Sequence, residues 1–249
     1  MRVALFLGLA ACGSSSQLKD AATEDGSADA KPDGKVLLFS RTGAFRHGPQ
    51  IDRVLERLPP RFEALGIAWS STEQPLAASD LAGVGAVFFL YTSGNDIVAD
   101  RAAFESFIRG GGAFIGLHSA TDTEYTWPFY QELVVAAFLD HPPGFHTAAI
   151  DILAPQHEAV ANLPARWVAS DEWYNFRSNP GAVAGVQVLA NLDETTYTGG
   201  SMGAMHPIVW SHEKLGGRAI YSAAGHPIER WDEPAFVDHV VGMVTWALR

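Results

Sequence analysis

Cysteine is almost missing from this chain: Cys12 is the only one in 249 residues. No disulfide can therefore form within it, and a thiol-stapled scaffold is excluded. Basic residues are scarce as well, 17 Lys and Arg against 28 Asp and Glu, for a formal net charge of -11. Such a balance argues against a surface that tracks nucleic-acid phosphates and fits a domain acting on a neutral or cationic small molecule. There is no internal repeat and no apolar stretch long enough to span a bilayer. Gly43 and the glycines at 110–112 permit tight turns but match no phosphate-cradling pattern.

What the chain does have is apolar content, 47% hydrophobic residues, enough for one large α/β domain plus a tail. At the start, Arg2 precedes an apolar run over residues 3–9, which leads into Leu9-Ala10-Ala11-Cys12. The pattern is that of a secretory signal ending in a lipobox, with Cys12 as the lipidated first residue of the mature protein. A chance cysteine in an ordinary apolar N-terminus is the plainer alternative. The expectation is a signal peptide over 1–11, a lipidated disordered linker over 12–34 poor in large apolar residues, and a folded domain over 35–249. It implies an exported protein of the bacterial cell envelope that meets the membrane through its lipid anchor.

Within the domain, residues 35–40 and 85–91 have the apolar continuity of strands buried on both faces, with a weaker strand at 67–71. Pro49 suits the first turn of a helix through Ile51, Val54, Leu55 and Leu58, which Pro59-Pro60 are expected to break or reset. A second helix is expected over 99–108. A third runs through Leu133, Val134 and Phe138 as far as Asp140. Strand signals follow at 146–153, 183–192, 208–210 and 218–222, before a final helix over 234–248. Alternating strands and helices indicate a parallel sheet wound on both faces, with the ligand crevice at the strands' carboxyl ends.

The central stretch is 110–124. Its strand over 113–117 is cut off by Gly116-Leu117-His118-Ser119-Ala120, the small-x-polar-x-small layout of a nucleophile elbow. Small residues there let the backbone turn sharply and raise one side chain at the sheet edge. The raised side chain is His118, suited to metal ligation or general-base work rather than to acyl transfer.

The separated motifs Ala44-Phe45-Arg46-His47, residues 116–124, Asp171-Glu172-Trp173-Tyr174-Asn175-Phe176, residues 200–210 and Gly225-His226 together resemble the ThuA-like (trehalose utilisation) family. That family is a branch of the class I glutamine amidotransferase-like superfamily, and the resemblance covers about 35–249. It implies a flavodoxin-like three-layer α/β/α sandwich, with a mostly parallel sheet and a β-rich C-terminal half. It also implies a substrate class of trehalose-like disaccharides or their 3-keto derivatives. The wider superfamily carries a catalytic cysteine at the elbow; His118 in its place argues against amidotransferase or peptidase chemistry.

Candidate site residues follow from these motifs. His118, Glu172 and His47 are expected to be catalytic, and His118, His47, His206, His226 and Glu172 are the candidate ligands of zinc or a similar divalent metal. The structural alternatives are a core histidine at 118, loop histidines bonded to backbone at 47 and 226, and a solvated Asp171-Glu172 turn. His206, held extended by the following proline, either faces the crevice or simply starts a strand. His141 is expected to end a helix, and His157, His212 and His239 to pack or lie on the surface. Asp122, Glu124 and Asp171 are carboxylates near the motifs.

Trp173 and Tyr174 are candidate sugar platforms or else buried aromatics. Asn175, Arg177 and Tyr91 are candidate substrate contacts. Three functions fit: a metal-dependent enzyme performing hydrolysis, elimination or isomerisation, a non-catalytic sugar-binding lipoprotein, and a hydrolase using Ser119 with a histidine. If the anchor reading holds, Cys12→Ala moves the protein from the membrane to the soluble fraction. Continued sedimentation of the variant with membranes removes it.

Overall fold

Runs of Val, Leu and Phe with no polar face are stable only as strands covered on both sides. In the computed structural model, which describes Met1 and residues 34–249, the first such run forms β1 (Lys35–Phe39). Along the chain come α1 (Gly48–Leu65), β2 (Ala68–Thr72), β3 (Val84–Leu90), α2 (Arg101–Arg109), β4 (Ala113–Leu117) and α3 (Pro128–Val134). The strand-rich part holds β5 (Phe138–Asp140), β6 (His146–Ile152), β7 (Arg166–Asp171), β8 (Asn175–Phe176), β9 (Val186–Asp193), β10 (Pro207–His212) and β11 (Ala219–Ser222). The last helix is α4 (Pro234–Ala247). The signal peptide, Cys12 and linker expected from the sequence lie outside the described residues.

Among the described residues the main sheet has nine strands in the order β2-β1-β3-β4-β11-β10-β9-β6-β7. Its first five strands pair in parallel and the remaining pairs are antiparallel. From β1 the chain steps to β2 on one side, and from β3 to β4 on the other. Right-handed crossovers therefore put α1 and α2 on opposite faces. α4 packs on α1, while Phe104 of α2 and Tyr130 of α3 both meet Phe89. The result is a flavodoxin-like three-layer α/β/α arrangement with an antiparallel extension. The order reverses at β1, so the ligand crevice is expected beside it, where the carboxyl ends of β1, β3, β4 and β11 point.

The antiparallel extension matters for the site. Four antiparallel steps bring β7 back to the direction of β11, so Asp171 ends its strand at the same edge. In a flat sheet that end would stand about 19 Å from β11. Instead, Asp171 Oδ2 accepts the Gly225 amide at 2.8 Å, so the extension curls back over the crevice.

Two expectations need correction. Helix α1 runs unbroken through Pro59 and Pro60. Each proline removes one backbone bond, yet Ile51, Val54, Leu58 and Phe62 continue one buried stripe across them. Burying each of these side chains contributes about 1.5–3 kcal/mol, against a proline cost of ~3 kcal/mol or more. Helix α3 stops at Val134, because Val135 takes φ +74° and turns the chain; Phe138, expected in this helix, lies in β5, which pairs with β8. β7 carries no continuous apolar run, since Val168 faces outward between buried Trp167 and Ala169, and it was not expected.

His212 and His239 are packing residues, as expected. His239 is fully enclosed, bonding the Ala159 carbonyl through Nδ1 and Ser222 Oγ through Nε2, and burial pushes it down to about 4. The unfolded chain takes up that proton near pH 6.5, so its share of stability is present above 6.5 and lost as pH falls towards 4. Urea unfolding is expected to show a loss on the order of 3 kcal/mol across that window, and a smaller one in His239→Gln.

Candidate functional site

The crevice is built from five strand ends. β1 leads into the loop carrying His47, at the start of α1, and β4 leads into His118. β11 leads through Ala223 and Ala224 to Gly225 and His226. β7 leads into Glu172, and β3 into Tyr91. At the elbow, extended Leu117 is followed by His118 at φ +49°, the left-handed conformation that costs an L-residue roughly 1–2 kcal/mol. Its ring is fully buried. Nδ1 lies 3.0 Å from the Ala223 carbonyl, which can only accept, so Nδ1 carries the proton and Nε2 presents its lone pair to the crevice.

Around that lone pair the other groups converge. One nitrogen each of His47, His118 and His226 lies within 4.8 Å of the others. His226 Nδ1 is 3.0 Å from His118 Nε2 and 2.9 Å from Glu172 Oε2, and the Tyr174 hydroxyl is 3.0 Å from the same Nε2. Burial, then the neighbouring imidazoles of His118 and His226, push His47 down to about 3, so it is neutral at physiological pH. Burial raises the Glu172 carboxyl, but hydrogen bonding and charge from His118 and His226 outweigh it and hold the group well below the usual carboxylate range. Imidazole nitrogens beside an ionised carboxylate are the donor types that a first-row divalent cation takes.

His47, His226 and Glu172 line a cavity of about 260 Å³ together with Phe45, Asp122, Phe138, His141 and Tyr174, and His118 lies buried behind them. Glu172 divides its two oxygens: Oε2 faces His226, and Oε1 lies 3.4 Å from His141 Nε2. Burial pushes the Asp122 carboxyl up, and Tyr125 donates to it at 2.6 Å.

Asp171 holds the arrangement together. Its Oδ1 accepts the amides of Glu172 at 2.9 Å and His226 at 3.0 Å, while Oδ2 accepts that of Gly225. Gly225 has φ +117°, and a Cβ there would stand 2.9 Å from Phe236 and 3.0 Å from the Tyr91 hydroxyl, so only glycine fits.

Of the expected site residues, His47, His118, His226, Glu172 and Tyr174 come together. His206 does not: its Nδ1 bonds Glu194 at 2.7 Å and its Nε2 the Tyr174 carbonyl at 2.8 Å, so both nitrogens are engaged away from the cluster. Trp173 is buried with its indole N–H on the His146 carbonyl, a core residue rather than a sugar platform. Tyr91 is a strut, donating to the Gly225 carbonyl at 2.5 Å and accepting from Trp231 at 2.9 Å. Asn175 bonds Asp140, Gly199 and Ser201, and Arg177 lies over the Tyr125 ring, so both brace loops. Ser119 is buried with Oγ 3.5 Å from His47 Nδ1, beneath the imidazole rather than open to the cavity.

His141 was expected to end a helix and instead reaches the cavity, and Phe45 was not singled out. A proline follows His141 as it does His206, and the sequence offers nothing to separate the two. Asp171→Asn places an amide N–H₂ against backbone donors. It is expected to lower stability by about 2–3 kcal/mol, read as a fall in the urea midpoint, and an unchanged midpoint contradicts the clamp.

A model of the ThuA family, trehalose utilisation, matches residues 35–247. A solved ThuA-like protein from Bacteroides uniformis superposes with a TM-score of 0.74 at 23% identity, over 90% of this chain and 94% of that one. A second, from Parabacteroides merdae, gives 0.67 at 19% identity over 86% and 90%. The beta-galactosidase of Bacillus circulans sp. alkalophilus gives 0.51 at 12% identity, over 87% of this chain and 31% of that one. At these identities the likeness speaks for the fold alone. No curated protein matches the sequence. Because the family match runs from the first strand to the last helix, the chain belongs to the ThuA family.

Proposed function

We propose that this protein is a metal-dependent carbohydrate-active enzyme of the bacterial cell envelope. Its substrates are trehalose-like disaccharides or their 3-keto derivatives, and its reaction is hydrolysis, elimination or isomerisation. The observation that carries this reading is the convergence of His47, His118 and His226, from three separate strand ends, beside the ionised Glu172. A divalent ion such as zinc, held by these residues, supplies a Lewis acid that polarises a sugar carbonyl or activates water.

The chain's own groups supply the rest. Glu172 shares one oxygen with the imidazoles and turns the other to His141, a path for a proton between the cavity and its rim. Tyr174 and Asp122 offer hydroxyl and carboxyl contacts to a sugar, and Phe45, 66% exposed on the cavity wall, offers an apolar face to its C–H groups. His206, outside the cluster, has no part in the donor set.

Elemental analysis of purified protein is expected to find close to one divalent ion per chain in wild type and in His206→Ala, and little in His118→Ala or His226→Ala. Turnover of 3-keto-trehalose should fall roughly 100-fold or more in the last two. No metal in wild type together with unchanged turnover in His118→Ala overturns the proposal. Trehalose binding without turnover that survives loss of His118 and Glu172 makes the protein a sugar-binding lipoprotein instead.

A further inference from the structure

The cavity over the histidine cluster measures about 260 Å³, at or below the low end of small-molecule pockets, about 300–1,000 Å³. One sugar ring fills such a space, so the second ring of a disaccharide has to lie outside it. Beside Pro227, which follows His226, a groove of about 350 Å³ is lined by Phe145, Val168, Ser170, Pro227, Glu229, Arg230 and Glu233. Its walls continue the site: Ser170 leads into Asp171 and Glu172, and Pro227 follows His226.

Phe145 stands at the boundary. Its ring centroid is 5.4 Å from that of His226, yet the residue is 54% exposed. An exposed phenyl ring against a cluster histidine gains little from the protein core, but it offers the flat apolar face on which a pyranose ring stacks. Val168, 63% exposed on the outward face of β7, extends the apolar floor, and Glu229 offers a carboxylate acceptor to hydroxyls, while Glu233 is held by Arg230 at 2.6 Å.

We infer that this groove is the subsite for the second sugar ring of the substrate, with Phe145 as the stacking platform that sets the preference for disaccharides over monosaccharides. The inference rests on the carbohydrate reading above and adds to it where the outer ring lies.

The test compares kcat/KM for 3-keto-trehalose with that for methyl 3-keto-glucoside, which keeps a leaving group but lacks the second ring, and equilibrium binding of trehalose with that of glucose, in the metal-loaded full chain. In Phe145→Ala the disaccharide-to-monosaccharide ratio is expected to fall about five- to tenfold, and Phe145→Trp should restore it. Phe45→Ala, which alters the inner cavity, should weaken both sugars together and leave the ratio near that of wild type. An unchanged ratio in Phe145→Ala, or an equal loss for both sugars, overturns the subsite while the enzyme reading stands. Wild-type protein that neither binds nor turns over any of the four sugars removes both.

Discussion

One buried carboxylate fixes the geometry on which the site depends. Asp171 gathers the amides of Glu172, Gly225 and His226 onto its two oxygens, so residues 54 and 55 positions away in sequence are held against the end of β7. Burial pushes its carboxyl up, the Gly225 amide pulls against that shift, and Arg230, itself enclosed, lies 3.6 Å away. Together with the bonds from Arg230 to the Ser170 carbonyl and from Tyr174 to His118, this clamp holds the curled extension over the crevice and Glu172 within reach of the histidines. Hydrogen bonds to a buried charged group contribute about 1.5–3 kcal/mol each, enough to hold a loop whose glycine is in a conformation closed to other residues.

Against that clamp stand two residues in unfavourable backbone conformations. His118 at φ +49° and Tyr91 at φ +52° are both non-glycine residues in the left-handed region, on adjacent strands of the sheet. Each is held by a bond to the β11 loop, His118 to the Ala223 carbonyl and Tyr91 to that of Gly225. Strain of this kind, about 1–3 kcal/mol per residue, persists where the surroundings over-determine it, and here it leaves the imidazole's Nε2 against His226 and Tyr174. The same enclosure keeps His47 neutral beside the ionised carboxylate of Glu172.

Much of this was legible from residue order. Continuous apolar runs located β1, β3 and β4, and the small residues around His118 identified the elbow, because both signals are local. The amphipathic stripe of α1 signals its helix, but the local cost of two prolines is outweighed by burial that only the tertiary structure supplies. β7 carries no comparable signal, because an edge strand alternates and one of its apolar residues points outward. The difference between His141 and His206 was invisible for another reason. Both precede proline, and only the curl of the sheet decides that one reaches the cavity while the other is bonded to Glu194. Aromatic residues misled in the same way: the indole of Trp173 is satisfied by a backbone carbonyl inside the core, whereas the plain phenyl rings of Phe45 and Phe145 are the ones left in the open.

The division of the sheet into a parallel half and an antiparallel half gives the site a mechanical character. The three imidazoles are carried by the parallel half and the carboxylate by the other, so anything gripping all four ties the two halves together across the seam between β11 and β10. A bound ion or sugar would thus act as a rivet, slowing amide exchange in strands it never touches. It would also make the unfolding of the two halves more cooperative than their separate hydrogen-bond ladders require.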